Sequence, residues 1–134
     1  MGKARAVRKR PQVTLDTGAL IAIDRGDRRM VALLDLIAKQ GGKFRVPAGV
    51  LGQAWRSSLR QANLSRFLAS SEVEIVPLTE SLSRACGELL AATGTSDVID
   101  ASVVLVAREN FDPIVTSDVG AIARLDPKAK LAKI

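Results

Sequence analysis

The chain has 134 residues, of which 47% are hydrophobic and 25% charged, with a formal net charge of +6. This length suits one domain with a single core, and the composition is that of a soluble globular protein rather than a disordered one. No apolar run approaches the roughly 18 residues needed to span a bilayer, and with no histidine and a lone Cys86 zinc is a poor candidate.

The first eleven residues are basic. Lys3, Arg5, Arg8, Lys9 and Arg10 are there without an acid among them, so all but one unit of the net charge belongs to this start. Residues 1–11 read as a disordered tail and residues 12–134 as a single domain. The tail is either a solvated leader or an arm that contacts nucleic-acid phosphates without reading sequence. It carries no apolar segment of the secretory type, and Ala6 breaks the myristoylation pattern. A cytoplasmic location is the default, and the unpaired Cys86 agrees with it.

From residue 12 the elements alternate. Gln12–Leu15 is a β-type run that ends at Asp16, and residues 17–24 follow as a helix. The apolar spacing from Val31 to Ala38 predicts a second helix, which Gln40-Gly-Gly stops. Phe44–Val46 is a second strand. Pro47 then opens a helix through about Ser57, with another from Leu59 to Leu68 that offers Leu59, Leu64, Phe67 and Leu68 for packing. Val73–Val76 alternates as a third strand, and residues 80–92 form a helix. Ser96 is a plausible N-cap for a helix from Asp97 to Arg108. The β-branched stretch from Ala101 to Ala107 can also be read as a strand, but Asp97, Asp100, Val104 and Ala107 recur at helical spacing. Residues 113–116 form a fourth strand, 119–125 a short helix, and 128–134 a possible fifth, edge strand. The βα order implies a parallel sheet of four to five strands flanked by helices on both faces.

The acids carry the functional signal. Asp16, Asp97 with Asp100, and Asp118 stand at three chain-distant junctions where a strand or loop turns into a helix. Each is also explained as a helix cap. Gathered at the carboxyl edge of a sheet, where open α/β folds bind ligands, they repel one another, and a divalent cation relieves that repulsion. An oxygen-only donor set favours Mg²⁺ or Mn²⁺. Arg45, Arg56, Arg60 and Arg66 form a second basic group around the middle helices, explained equally by solubility and by RNA. Phe44, Trp55, Phe67 and Phe111 are the only aromatics, too few and too apolar in context for a base-stacking platform.

The segments Leu15-Asp-Thr-Gly-Ala-Leu-Ile-Ala, Val46-Pro-Ala-Gly-Val-Leu-Gly-Gln-Ala-Trp, Asp97-Val-Ile-Asp-Ala and Val115-Thr-Ser-Asp, in that order, resemble the PIN-domain ribonucleases. Within that family the resemblance is to VapC-like toxins of toxin–antitoxin systems, and it covers residues 12 to about 126. It implies a PIN-like (Rossmann-like) α/β fold and Mg²⁺-dependent RNA cleavage. It also implies a VapB-like antitoxin over the active-site groove and a homodimer. The family's acids fall on Asp16, Asp100 and Asp118, and its hydroxyl position on Thr116. Gln53 departs from the pattern, standing where the family usually has Glu. A carboxamide ligates a metal or orients water but neutralises no charge, and Asp97 restores the count of four carboxylates. Arg56, Arg60, Lys9 and Arg10 are candidate contacts to RNA phosphates.

Other classes fit less well. An aspartyl-nucleophile phosphatase typically carries a second Asp where Gly18 stands. A receiver domain lacks its acidic pair and late lysine here, and no Gly-rich phosphate loop with Lys is present. The serious alternative is a PIN-like protein that binds RNA or a partner without cutting.

Overall fold

The computed structural model describes residues 10–134, so residues 1–9, including Lys9 and most of the basic tail, lie outside the described residues. The elements in chain order are β1 Gln12–Leu15, α1 Thr17–Asp24, α2 Arg28–Lys39, β2 Lys43–Pro47, α3 Ala48–Ala54, α4 Ala62–Leu68, β3 Val73–Val76, α5 Glu80–Thr93, α6 Val98–Asn110, β4 Ile114–Thr116, α7 Val119–Leu125 and β5 Leu131–Lys133.

The five strands form one parallel sheet in the order β3-β2-β1-β4-β5. The first three strands build the sheet in one direction. After β3 the chain returns to the other side of β1, so right-handed crossovers carry the later helices to the opposite face. The direction reverses between β1 and β4, and loops diverge from the carboxyl ends of these neighbours to leave a crevice. The backbone fixes this junction: Asp16 N–H donates to Val115 C=O at 3.2 Å.

The core lies between sheet and helices, with Leu15, Val46, Ile114 and Val115 from the strands against Leu20, Val50, Leu64 and Val103. Nearly every residue of 101–107 is buried and the segment is helical. Its β-branched run thus reflects a helix enclosed on almost all sides, not a strand.

Four local expectations change. Pro47 ends β2 and caps α3 instead of occupying its first turn, and α3 stops at Ala54 because Trp55 is extended. Gln61 bridges the break. Its Oε1 accepts from Arg56 N at 2.6 Å and Ser57 N at 2.9 Å, and its Nε2 donates to Ala54 O at 2.9 Å. Leu59 therefore lies in a loop, 92% exposed, and does not pack as expected. The cap of α6 is Asp97, not Ser96: the Asp97 carboxylate accepts from Asp100 N at 2.9 Å.

A second polar network crosses the amino-terminal half of the sheet. Arg45 Nη1 reaches both oxygens of Asp112 at 2.8 and 2.9 Å, Thr14 Oγ1 donates to the same carboxylate at 2.9 Å, and Arg45 Nε meets Glu74 at 3.3 Å. This charge pairing removes Arg45 from the middle-helix basic group.

Candidate metal-binding site

Three of the four acids are placed by the same local device, as caps of the helices that follow them. Asp16 follows the last residue of β1, and its side chain accepts from Ala19 N at 2.9 Å. Asp118 follows Ser117 after β4 and accepts from Ala121 N at 3.0 Å. Asp97 does likewise for α6, and Asp100 sits one turn into that helix. The capping roles and a shared site are compatible, because each cap bond engages one carboxylate oxygen and a carboxylate has acceptor sites beyond that one.

Asp16 is the anchor, only 5% exposed. Burial pushes its carboxyl above the ordinary range, opposed by hydrogen bonds from the Thr116 side chain and the Ala19 and Gly18 amides, while the charge of Asp118 pushes it further up. Thr116 is fully buried and its Oγ1 accepts from Asp118 N at 2.9 Å, while its side chain also draws the Asp16 carboxyl down against the effect of burial. Asp100, half-buried, is raised to about 6, first by desolvation and then by the charges of Asp97, Asp16 and Asp118 in turn. That coupling places all four acids within one electrostatic neighbourhood, and the charges acting on Asp100 are all negative.

Two glycines lie where neighbouring elements come close. A Cβ on Gly18 would meet the Ser117 side chain, which shows how near the turns after β1 and β4 lie. A Cβ on Gly49 would meet Ile99 Cδ1 at 2.4 Å, and this contact seats α3 beside the start of α6. One turn further along α3, Gln53 accepts a hydrogen bond from Thr17 Oγ1 through Oε1 at 2.5 Å. Thr17 and Gly49 carry no signal of their own in the sequence. Gly18 carries a signal there, as a glycine directly behind an Asp-Thr strand end.

The donor set of carboxylates, the Thr116 hydroxyl and the Gln53 carboxamide is all oxygen, which suits a hard divalent cation, and the uncompensated charge around Asp100 gives such an ion an electrostatic reason to bind. Among the described residues no three acidic, histidine or cysteine side chains converge closely enough to chelate an ion as they stand. Mutual repulsion and the turning of Asp16, Asp97 and Asp118 onto their own helix amides account for that spread.

The candidate RNA contacts separate. Arg56 folds back on the end of α3, donating to Trp55 O at 2.6 Å and Gly52 O at 3.3 Å, and Arg60 is exposed in the following loop. Arg10 is exposed just before β1, at the opposite edge from the acids.

Comparison with known proteins agrees with this architecture. The PIN domain family model matches residues 13–126. No curated protein matches the chain significantly. Among solved structures, VapBC2 from Rickettsia felis bound to a DNA fragment from its promoter is similar, at 21% identity and TM-score 0.69, covering 92% of this chain and 98% of that one. A toxin–antitoxin complex from Klebsiella pneumoniae gives 13% identity and TM-score 0.68, covering 91% and 99%. FitAcB from Neisseria gonorrhoeae gives 16% and 0.60, covering 89% and 95%.

Proposed function

The chain belongs to the PIN domain family, and from that premise we propose that it is a Mg²⁺- or Mn²⁺-dependent ribonuclease, the toxin of a VapBC-type toxin–antitoxin pair acting in the cytoplasm. The observation that carries this reading is the convergence of acidic charge from three junctions on Asp100 at the sheet's switch point. Asp16, Asp100 and Asp118 would hold the cation, with Asp97 making up the charge that Gln53 does not supply. A bound divalent cation supplies Lewis-acid polarisation of a phosphate oxygen and lowers the pKa of water.

The protein's own residues do the rest. Thr116 opposes the effect of burial on the Asp16 carboxyl. Asp97 and Asp118, both exposed, would be accessible to an incoming strand. Gln53, oriented by Thr17, retains an amide N–H pair suited to a phosphate oxygen. Arg56 and Arg60 would contact the RNA backbone.

A partner is supported by the middle helices. Ala48, Leu51, Gly52, Trp55 and Leu68 line an apolar depression of about 410 Å³, and Leu59 stands exposed in the adjoining loop. These suit a VapB-like antitoxin or the seam of a homodimer, and the similar structures include toxin–antitoxin complexes. Among the described residues no single helix is long and apolar enough to cross a membrane.

The test is incubation of antitoxin-free protein with structured RNA, with and without Mg²⁺ or Mn²⁺, beside an Asp16→Asn/Asp118→Asn variant. Metal-dependent cleavage lost in the variant supports the nuclease. Binding without cleavage moves the reading to a non-catalytic PIN-like module, the alternative that Gln53 and the spread of the acids favour. Full metal-dependent activity in Asp97→Ala would remove Asp97 from the acid set.

A further inference from the structure

Phe111 is the residue whose placement the fold does least to explain. It ends α6 in the left-handed conformation, φ 57°, the only non-glycine residue with positive φ among the described residues, and it is 93% exposed. Glycine or asparagine fills such a position without strain, and a ring held in solvent gains nothing from burial. Backbone strain and exposed apolar surface are both accounted for if the ring has a partner outside the chain.

Its surroundings indicate the chemistry of that partner. Phe111 borders a depression of about 450 Å³ whose floor includes Val104, Ala107, Ile114 and Ala129. Two carboxylates line it, and both are already paired: Asp126 with Arg108 at 3.2 Å, and Asp112 with Arg45 and Thr14. Lys128 and Lys130 on its rim are exposed and have no ion-pair partner among the described residues. On the other side of Phe111 a second depression is lined by Arg10, Gln12 and Asn110, and in the sequence Arg10 follows four further cations, Lys3, Arg5, Arg8 and Lys9.

We propose that this amino-terminal edge of the sheet is a binding site for single-stranded RNA, with an unpaired base stacked on Phe111 over the apolar floor and flanking phosphates on Lys128, Lys130 and Arg10. An unpaired strand fits where a duplex does not, because only an unstacked base offers its face to an exposed ring. The site lies at the far end of the strands from the carboxylates, about 13 Å away for a four-residue strand. It is therefore distinct from the acidic edge and does not depend on the nuclease reading. Phe111 thus stands exposed where an apolar floor meets the cations Lys128 and Lys130.

The test is fluorescence anisotropy of a labelled 12-residue single-stranded RNA, in metal-free buffer, with protein carrying Asp16→Asn/Asp118→Asn. Those two substitutions let the assay read this site whether or not the acidic edge cuts RNA. Adding Phe111→Gly is expected to weaken binding about 10-fold or more while raising the melting temperature by about 3 °C as the backbone strain is relieved. Adding Lys128→Ala/Lys130→Ala is expected to flatten the dependence of log affinity on log salt by about two phosphate contacts. Duplex RNA of the same sequence is expected to bind more weakly. Unchanged affinity in Phe111→Gly, or duplex bound as tightly as single strand, would overturn the proposal. So would single-stranded DNA of that sequence binding more tightly than the RNA.

Discussion

Replacing Thr116 with valine isolates the contact that joins the two strand-end acids. Thr116 is fully buried, accepts from Asp118 N at 2.9 Å, and its side chain draws the Asp16 carboxyl down. Valine keeps the β-branched shape and the strand, so the change removes hydrogen bonds without opening a large void. Removing the acceptor strands the Asp118 amide, which costs about 1–3 kcal/mol, so a loss of about 1–3 kcal/mol in unfolding free energy is expected. The same change removes the largest influence that keeps the Asp16 carboxyl down, so its proton affinity rises and protons compete better with metal. Urea unfolding measures the first effect, and calorimetric Mg²⁺ titration at pH 6.5 and 8 measures the second. Thr116→Val is expected to lose more metal affinity at pH 6.5 than at 8, while Thr116→Ser, which keeps the hydroxyl, retains it. A Thr116→Val protein within about 0.5 kcal/mol of the parent, binding Mg²⁺ as the parent does at pH 6.5, would refute the assigned role of the hydroxyl.

Two further outcomes follow from the charges. The Asp100 carboxyl rises from an ordinary 3.8 to about 6 on folding, so the native state holds this proton more tightly than the unfolded chain, and the stability it contributes is lost as pH climbs from about 4 to 6. Discounted for the screening of a half-exposed group, the loss is about 1 kcal/mol. Denaturation of metal-free protein across that window should show it, with Asp100→Asn removing the slope and saturating Mg²⁺ suppressing it. A parent slope equal to that of Asp100→Asn would contradict the electrostatic reading. At the other edge of the sheet, Asp112→Ala strands the mostly buried Arg45 guanidinium and is expected to cost about 3–5 kcal/mol. A loss below about 1 kcal/mol would show that Glu74 alone satisfies Arg45.

The sequence was most legible where the physics is local. The β1 and α1 boundaries follow from a β-branched run broken by Asp16, and α6 from helical spacing at Asp97, Asp100 and Val104. Periodicity and capping act over a few neighbouring residues, so such signals are present in the chain itself. The α3–α4 segment was misread because its continuity is decided by Gln61, whose side chain closes around the broken helix end, a contact that no spacing rule displays.

Composition and order were enough to indicate a βα alternation with acids at its junctions and a charge surplus at the start of the chain. The tertiary structure decided which of these residues share a neighbourhood. Parallel pairing of β1 with β4 brings Asp16 to Asp118 across about a hundred residues. The same pairing sends Arg10, Phe111 and Lys130 to the opposite edge, since every strand of a parallel sheet starts on one side and ends on the other. Sequence fixes the types of side chain and their local periods, but convergence depends on strand order, which arises from packing across the whole core.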